Sequence, residues 1–303
     1  MKILSLFDGI SCGMQALKEL EIPVETYYAS EIDKYAIEIS MKNHPEIIQL
    51  GDVEKWREWD IDWDNIDMLI GGSPCQGFTF AGKRLNFEDH RSKLFFVYYE
   101  ILQFLKEKNP NILFFLENVK MDKKCKDAID EMMGVVGIPI NSNLFSAQNR
   151  DRTYWTNIPI KELPIENNTM IADIVNPIDN ENVKTYVSKE HHAAWLKNYK
   201  WKHNELTEKS KPLLATYFKQ PPHCPYIIYR EELEGEEELN NKYSIYRRLS
   251  PIECERLQTL PDNYTLVVNE KGKENSYTQR WKTLGNGWTV EAIKHIFSSL
   301  KTD

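Results

Sequence analysis

The sequence predicts an α/β protein, with a doubly wound, mostly parallel sheet joined to a smaller, irregular domain. Three observations predict it. Short apolar runs alternate with amphipathic stretches through the first half of the chain, as parallel βα units require. The end of each run carries a carboxylate, a glycine turn or a thiol, which suits open sheets that bind ligands beyond the carboxyl ends of their strands. The alternation fades over roughly residues 173–245 into a stretch rich in Pro, Asn, Lys and Tyr, and order returns near the C-terminus.

In order along the chain, "KILSLF" precedes the helical pattern "MQALKEL", and "VETYYAS" precedes "DKYAIEISMKNH". "IIQL" leads into "GDV"; "DMLIGG" precedes "SKLFFVYYEILQFLKEK"; "NILFFLENV" precedes "CKDAIDEMM". Each apolar run is short and bounded, the length of a buried strand rather than of a helix. "NRDRTYWTNIPI" reads as a further strand, on which Arg150 and Arg152, two residues apart, would point to one face. After the irregular stretch, "RRLSPIECERLQTLP" places Ser250 as an N-cap, Pro251 at the first helical position and Glu253 in a capping box. In "TVEAIKHIFSSLK", Val290, Ile293, Ile296, Phe297 and Leu300 fall on one helical face, which needs an apolar partner such as the first-half sheet. The expected division is a catalytic part at 1–172 plus 276–303 and a second domain at 173–275.

With 303 residues, 41% of them apolar and 28% charged, the chain has the composition of a soluble globular protein. No window reaches the roughly twenty apolar residues of a bilayer span, and "MKILSLFDGI" turns polar too soon for a signal peptide. An intracellular location, bacterial or in a phage-infected cell, is expected, without membrane contact. The five cysteines, Cys12, Cys75, Cys125, Cys224 and Cys254, are scattered and form no C-x-x-C pair. Neither a disulfide framework nor a metal site is expected. A net charge of -8 argues against indiscriminate coating of nucleic acid. Yet residues 184–230 hold nine Lys/Arg against three Asp/Glu, followed by the six glutamates of "EELEGEEE", which read as a solvated loop.

The strand ends carry the chemistry. "FDGISCG" is a glycine-bearing turn opening a helix, whose backbone N–H groups suit a carboxylate or other anion; it lacks the G-x-G-x-x-G of dinucleotide sites. Glu31 in "SEID" is placed to accept from ribose hydroxyls, and Asp52 in "GDV" from an exocyclic amine. With Phe7 and Ile32 on either side of a ring, the set suits an adenosine without a pyrophosphate. Cys75, in "GGSPCQGF", sits in a turn after Pro74 at the mouth of the sheet. A buried structural cysteine is the commoner fate of that residue type. As a nucleophile it would need help, because an unperturbed thiol with a pKa of about 8.5 is only a few per cent ionised at neutral pH; Lys83, Arg84 and Arg91 lie in the loop that follows. Glu117, after the apolar "LFFL", is expected to be partly desolvated and able to share a proton with a base, or else to act as a cap or ion-pair partner.

With these residues assembled, the sequence resembles the DNA cytosine-5 methyltransferases. The resemblance covers nearly the whole chain, in the family's order: "LFDGISCG", "SEID", "GDV", "GGSPCQGFTFAG", "ENV", "QNRDR", "RRLSPIECERLQTLPDNY" and "LGNGWTVE". The opening FDGISCG, in place of the commoner bacterial F-A-G-x-G-G, and the tail "GNGWTVEAIKHIF" are similar to the mammalian de novo enzymes. The resemblance implies a Rossmann-like class I fold and S-adenosylmethionine as cofactor, with S-adenosylhomocysteine as product. It puts Phe7 on the adenine, Glu31 and Ile32 at the ribose and ring, Asp52 at the adenine amine, and Val53 among the cofactor-binding residues. Asp8, Gly9, Ile10, Cys12 and Gly13 would line the turn near the methionine carboxylate, and Pro74, Leu94, Asn286 and Trp288 would close the pocket.

The same resemblance gives the thiol its use. Carbon 5 of cytosine is too weak a nucleophile to attack a methyl sulfonium directly. It implies that Cys75 adds to carbon 6 and makes an enamine at carbon 5, that Glu117 holds a proton at N3, that Arg152 binds O2, and that Arg150 steadies the carboxylate or the phosphates. A base, acting through water, then removes the carbon 5 proton and elimination frees Cys75. The target must be flipped out of double-stranded DNA, and residues 77–92 suit a lid that closes over it. The stretch 184–230 becomes a target recognition domain, with Lys209, Lys211, Lys219, Gln220 and His223, beside Lys83, Arg84 and Arg91 of the lid, as DNA contacts. The protein partner stays open between a cognate restriction endonuclease, if the enzyme is restriction-linked, and none, if it is solitary or phage-borne. The alternatives are a tRNA cytosine-5 methyltransferase, whose usual Cys-Phe-Thr tripeptide is absent from the second domain, a DNA-binding paralogue without activity, and a dehydrogenase, disfavoured by the missing phosphate fingerprint.

Overall fold

The computed structural model describes residues 1–74, 80–81, 84–85, 93–165, 167–176, 185–198, 202–221, 223–228 and 243–301. It divides into two compact units, the first comprising Met1–Asn141, Asp151–Leu163 and Ala292–Asp303, the second Ser142–Arg150 and Pro164–Glu291. The compact units are bounded differently from the expected division: residues 142–150, 164–172 and 276–291 belong to the second.

The first unit is a seven-stranded sheet. Its strands are β1 (Lys2–Leu6), β2 (Thr26–Ser30), β3 (Ile48–Gln49), β4 (Met68–Gly71), β7 (Leu113–Val119), β8 (Ile138–Asn141) and β9 (Asp151–Thr156), in the spatial order β3-β2-β1-β4-β7-β9-β8. The five strands expected from the apolar runs are all present and parallel, with registers such as Ile3↔Tyr27, Ile3↔Met68 and Met68↔Leu113. β9 runs antiparallel to both of its neighbours. A short ladder pairs β5 (Phe80–Ala81) with β6 (Arg84–Leu85).

Four helices connect the strands: α1 (Cys12–Glu19), α2 (Lys34–Asn43), α3 (Lys93–Lys108) and α4 (Lys123–Met133). Asp33 caps α2 by accepting from the Tyr35 N–H at 3.0 Å, and Asp122 caps α4 by accepting from Cys125 N at 3.0 Å. On one face of the sheet, Leu4, Leu6, Leu69, Phe114 and Leu116 join Phe95, Tyr98, Ile101 and Leu102 of α3 and Ile129 and Met133 of α4 in a single buried cluster. The alternation of side chains along each strand leaves Phe115 for the opposite face. There it meets Phe297 edge-on, with ring centroids 5.2 Å apart. Phe297 belongs to α9 (Val290–Phe297); of the predicted face, Val290, Ile293, Ile296 and Phe297 are fully buried, while Leu300 falls in the 3-10 turn after the helix and is half-buried.

The second unit contains α5 (Ile171–Ile174), β10 (Tyr186–Ser188), α6 (Lys189–Asn198), β11 (Tyr226–Ile228), β12 (Tyr243–Arg248), α7 (Pro251–Leu257) and α8 (Tyr277–Asn286). β10, β12 and β11 form a three-stranded antiparallel sheet in the stretch expected to be irregular. Two of those strands have three residues each, too short to show a period in the sequence. The expected capping box is present, with Ser250 and Glu253 bonded reciprocally. Glu253 also accepts from the two terminal guanidinium nitrogens of Arg247, each at 2.7 Å. A Cβ at Gly285 would lie 2.2 Å from the backbone of Leu214 and Ala215, so only glycine lets α8 approach that segment.

Candidate active site

The turn from β1 into α1 has an unusual backbone. Phe7, Gly9 and Ser11 all lie in the left-handed region, at φ 57, 59 and 59°. For the two non-glycine residues that costs of the order of 1–2 kcal/mol each, and hydrogen bonds hold them there. Asp8 N donates to Ser30 O at 3.1 Å and Gly9 N to Glu31 Oε2 at 2.8 Å. The Asp8 carboxylate accepts from Ser5 Oγ at 2.6 Å, from Tyr27 OH at 2.8 Å and from Ser11 Oγ. Asp8, expected beside the ligand, therefore turns its carboxylate inward to three hydroxyls. Burial pushes its pKa above the usual carboxylate range, against the pull of those hydroxyls. The side chains of Ile10 and Cys12 are also buried, and Val53 lies in the core cluster under α3.

The next two strand ends are bound to this turn. Glu31 Oε1 accepts from Ile32 N at 2.7 Å and Asp33 N at 2.8 Å. Ser30 Oγ donates to Gly51 O at 2.7 Å, and Asp52 caps the following turn by accepting from Glu54 N at 3.0 Å. Phe7 is half-buried, Ile32 is 76% exposed, and the space a Cβ would fill at Gly9 is open. Two carboxylates, two apolar side chains and an open glycine turn at adjacent strand ends fit an adenosine-type cofactor, whose hydroxyls and amine donate and whose flat aromatic faces apolar side chains can cover.

The fourth strand ends at Gly71, where a Cβ would stand 3.0 Å from both Leu6 O and the Tyr98 ring. The glycine of "GGSPC" lets β4 close against β1 and α3. Cys75 lies outside the described residues, as do Lys83 and Arg91; for Arg84 only the backbone, in β6, is described. The approach to Cys75 is fixed from the neighbouring strand. Asn118 Nδ2 donates to Ser73 O and Ser73 Oγ, both at 3.2 Å, while Asn118 Oδ1 accepts from Val119 N at 2.8 Å. Asn118 was legible only as the middle letter of "ENV", and nothing in the sequence gave it this task. Beside it, Glu117 Oε1 meets Arg152 Nε at 2.6 Å, with side-chain exposures of 11% and 14%. The register places Val119 opposite Arg152 and Glu117 opposite Tyr154, so the ion pair runs diagonally between β7 and β9.

Residues 1–302 match the family profile described as C-5 cytosine-specific DNA methylase. The chain belongs to this family. Type II methyltransferase M1.ScrFI of Lactococcus lactis subsp. cremoris is 29% identical over 97% of this chain and 76% of its own. Orphan methyltransferase M.Rho11sI of Bacillus phage rho11s is 38% identical over 186 residues, which are 57% of this chain and 35% of the phage protein. The chain thus aligns with about three-quarters of the first relative and a third of the second. In fold, it matches the crystal structure of S. pombe Dnmt2 methyltransferase with a TM-score of 0.73 at 16% identity, covering 100% of this chain and 99% of that one. The Entamoeba histolytica methyltransferase EhMeth gives a TM-score of 0.73 at 18% identity over the same shares.

In this family member, the two arginines of "QNRDR" part company. Arg152 lies on β9, whereas Arg150 precedes the strand and belongs to the second unit. Arg150 is 3% exposed and donates to Leu213 O at 2.6 Å and to Gly285 O and Gly287 O at 3.0 Å each. Arg152 pairs with the Glu117 carboxylate, and Arg150 clamps three backbone carbonyls. Gln148, also buried, accepts from Leu213 N at 2.7 Å. Asn286, exposed, and Trp288, 9% exposed, flank this clamp in the second unit. Arg150→Ala strands three buried acceptors, each costing about 1–3 kcal/mol if left unpaired. The expected result is a loss of about 3 kcal/mol or more in denaturant unfolding. Arg150→Lys is not expected to restore it, since an ammonium lacks the planar fork.

The basic candidates divide as well. Lys209, expected among the DNA contacts, has its ammonium taken up by Ser146 O (3.0 Å), Asn167 O (2.6 Å), Asn167 Oδ1 (3.1 Å) and Thr169 O (2.8 Å). Lys211 donates to Lys202 O, and burial lowers its pKa. Lys219 and His223 are exposed. Gln220 sits at a left-handed φ of 54°, with its Oε1 buried and unpaired among the described residues. Among the described residues no helix is long and apolar enough to cross a membrane.

Proposed function

We propose that this chain transfers a methyl group to carbon 5 of a cytosine flipped out of duplex DNA, through a transient bond from Cys75 Sγ to carbon 6 of the ring. Family membership supports the reaction class, and the Glu117–Arg152 pair supports the assignment of roles. S-adenosylmethionine, held by Phe7, Glu31, Ile32, Asp52 and the backbone of the turn at Gly9, would supply an electrophilic methyl on a sulfonium and leave as S-adenosylhomocysteine. The Cys75 thiolate adds to carbon 6 and moves electron density to carbon 5. Glu117 holds a proton at N3, so that charge does not accumulate on the ring, and Arg152 donates to O2. A water-mediated base takes the proton from carbon 5, the electron pair re-forms the ring double bond, and Cys75 leaves. Residues 173–275, with Lys219, Gln220 and His223, would contact the duplex, and residues 77–92 would close over the flipped base.

The observation that carries this reading is the carboxylate–guanidinium pair on β7 and β9, next to the Asn118 bonds that fix Ser73, two residues before the thiol. The test uses duplex DNA carrying 5-fluorocytosine at a site the chain methylates. Fluorine at carbon 5 cannot leave as a proton does, so the expected result is a protein–DNA adduct stable on a denaturing gel. Absence of an adduct on such a site would remove the thiol from the mechanism. Label transfer to a tRNA transcript, with none to duplex DNA, would replace the substrate class.

A further inference from the structure

The geometry points to Asp8 as a positioning residue for the cofactor turn: its buried carboxylate, bonded to hydroxyls from three elements, sets the left-handed backbone that presents Gly9 and Phe7. The inference rests on the cofactor reading above. Asp8 is buried and both of its carboxylate oxygens are engaged inside the protein, by Ser5 Oγ of β1, Tyr27 OH of β2 and Ser11 Oγ of the turn. Ser11 has the place of an N-cap to α1, yet its side chain makes no cap bond to the helix. Its hydroxyl donates to Asp8 and accepts from Ser40 Oγ of α2, 2.6 Å away. That diversion accounts for the backbone. A capping serine is extended, whereas Ser11 has φ 59 and ψ 41°, so the bond to Asp8 and the left-handed turn are one arrangement.

The consequence falls on the residues beside it. Phe7 and Gly9 flank Asp8, and Gly9 N is the donor that reaches Glu31 Oε2 across to β2. When the carboxylate is removed, three hydroxyls lose their common acceptor. Phe7 and Ser11 then relax toward ordinary backbone conformations, and the Phe7 ring and the Glu31 carboxylate lose their mutual placement. A residue that merely stabilised the fold would leave the affinity of the folded protein unchanged.

The test measures S-adenosylhomocysteine binding by calorimetry on the full chain, with folding checked by circular dichroism. Asp8→Ala is expected to weaken binding about tenfold or more, with KM for S-adenosylmethionine rising in step and KM for duplex DNA staying within about twofold. Asp8→Asn, which keeps the volume and one acceptor oxygen, is expected to recover most of the loss. Should Asp8→Ala fail to fold, Ser11→Ala and Tyr27→Phe each remove one hydroxyl and are expected to weaken binding about threefold. A folded Asp8→Ala, or the pair of single-hydroxyl variants, binding within about twofold of the parent overturns the positioning role, and so does an equal rise in both KM values. A parent chain that binds no S-adenosylhomocysteine instead removes the cofactor reading itself.

Discussion

Cys75→Ala is expected to reduce methyl transfer by about a thousandfold or more, while cofactor binding survives. The loss is large because the thiol performs a step nothing else in the chain replaces. Carbon 5 of cytosine becomes nucleophilic only when a group adds at carbon 6, and removing the sulfur removes the addition. Cofactor binding should persist because its proposed residues are held by bonds independent of residue 75. Gly9 N to Glu31, Ser30 Oγ to Gly51 O and the Asp8 hydroxyl cluster all lie on β1, β2 and β3 and the turns that follow them. The measurement is label transfer from tritiated S-adenosylmethionine to duplex DNA, with calorimetry for the cofactor. Turnover within about tenfold of the parent would take the nucleophile away from Cys75.

Much of the first unit was legible because burial on both faces of a parallel sheet writes itself as short apolar runs. Leu4, Leu69 and Phe114 sit in such runs and meet in one cluster. The chemistry at the ends of the runs was legible for the same reason, since a carboxylate after an apolar run has one place to be. What the sequence hid was direction. Asp8 and Glu31 look alike in "FDG" and "SEID", yet one turns inward to three hydroxyls and the other binds three backbone N–H groups at the rim. Arg150 and Arg152 share a motif, and strand alternation predicted one face for both. The strand begins at Asp151, so the alternation never reached Arg150. Lys209 counted as positive charge in the basic stretch, but four oxygens enclose it. Composition counts charges; only packing says which of them solvent sees.

A common design runs along the carboxyl edge of the sheet. Asp8 N to Ser30 O joins β1 to β2, Ser30 Oγ to Gly51 O joins β2 to β3, Asn118 to Ser73 joins β7 to β4, and Glu117 to Arg152 joins β7 to β9. Loops ordinarily vary in position, whereas a site that must align a donor with an acceptor atom tolerates little misplacement. Bonds between adjacent strand ends, one of them backbone and three involving side chains, transfer the rigidity of the sheet ladder to the turns that follow it.

Glu117→Gln is expected to lower kcat about 10²- to 10⁴-fold, the usual contribution of a positioned proton-transfer group, with cofactor affinity unchanged. Glutamine keeps the size of the side chain and an oxygen for the Arg152 Nε–H that now lies 2.6 Å from Glu117 Oε1, so the β7–β9 pairing should remain. Its amide nitrogen replaces the other carboxyl oxygen, and an amide cannot deliver a proton to ring N3. The enamine would then form with uncompensated negative charge on the ring, in a site where Arg152 alone answers it. The readout is a single turnover at saturating cofactor, paired with the rate of 5-fluorocytosine adduct formation. Both rates should fall together, because thiol addition and N3 protonation belong to one step. An unchanged adduct rate with slow methylation would move Glu117 to a later step, and unchanged values of both would leave it as the ion-pair partner of Arg152 and nothing more.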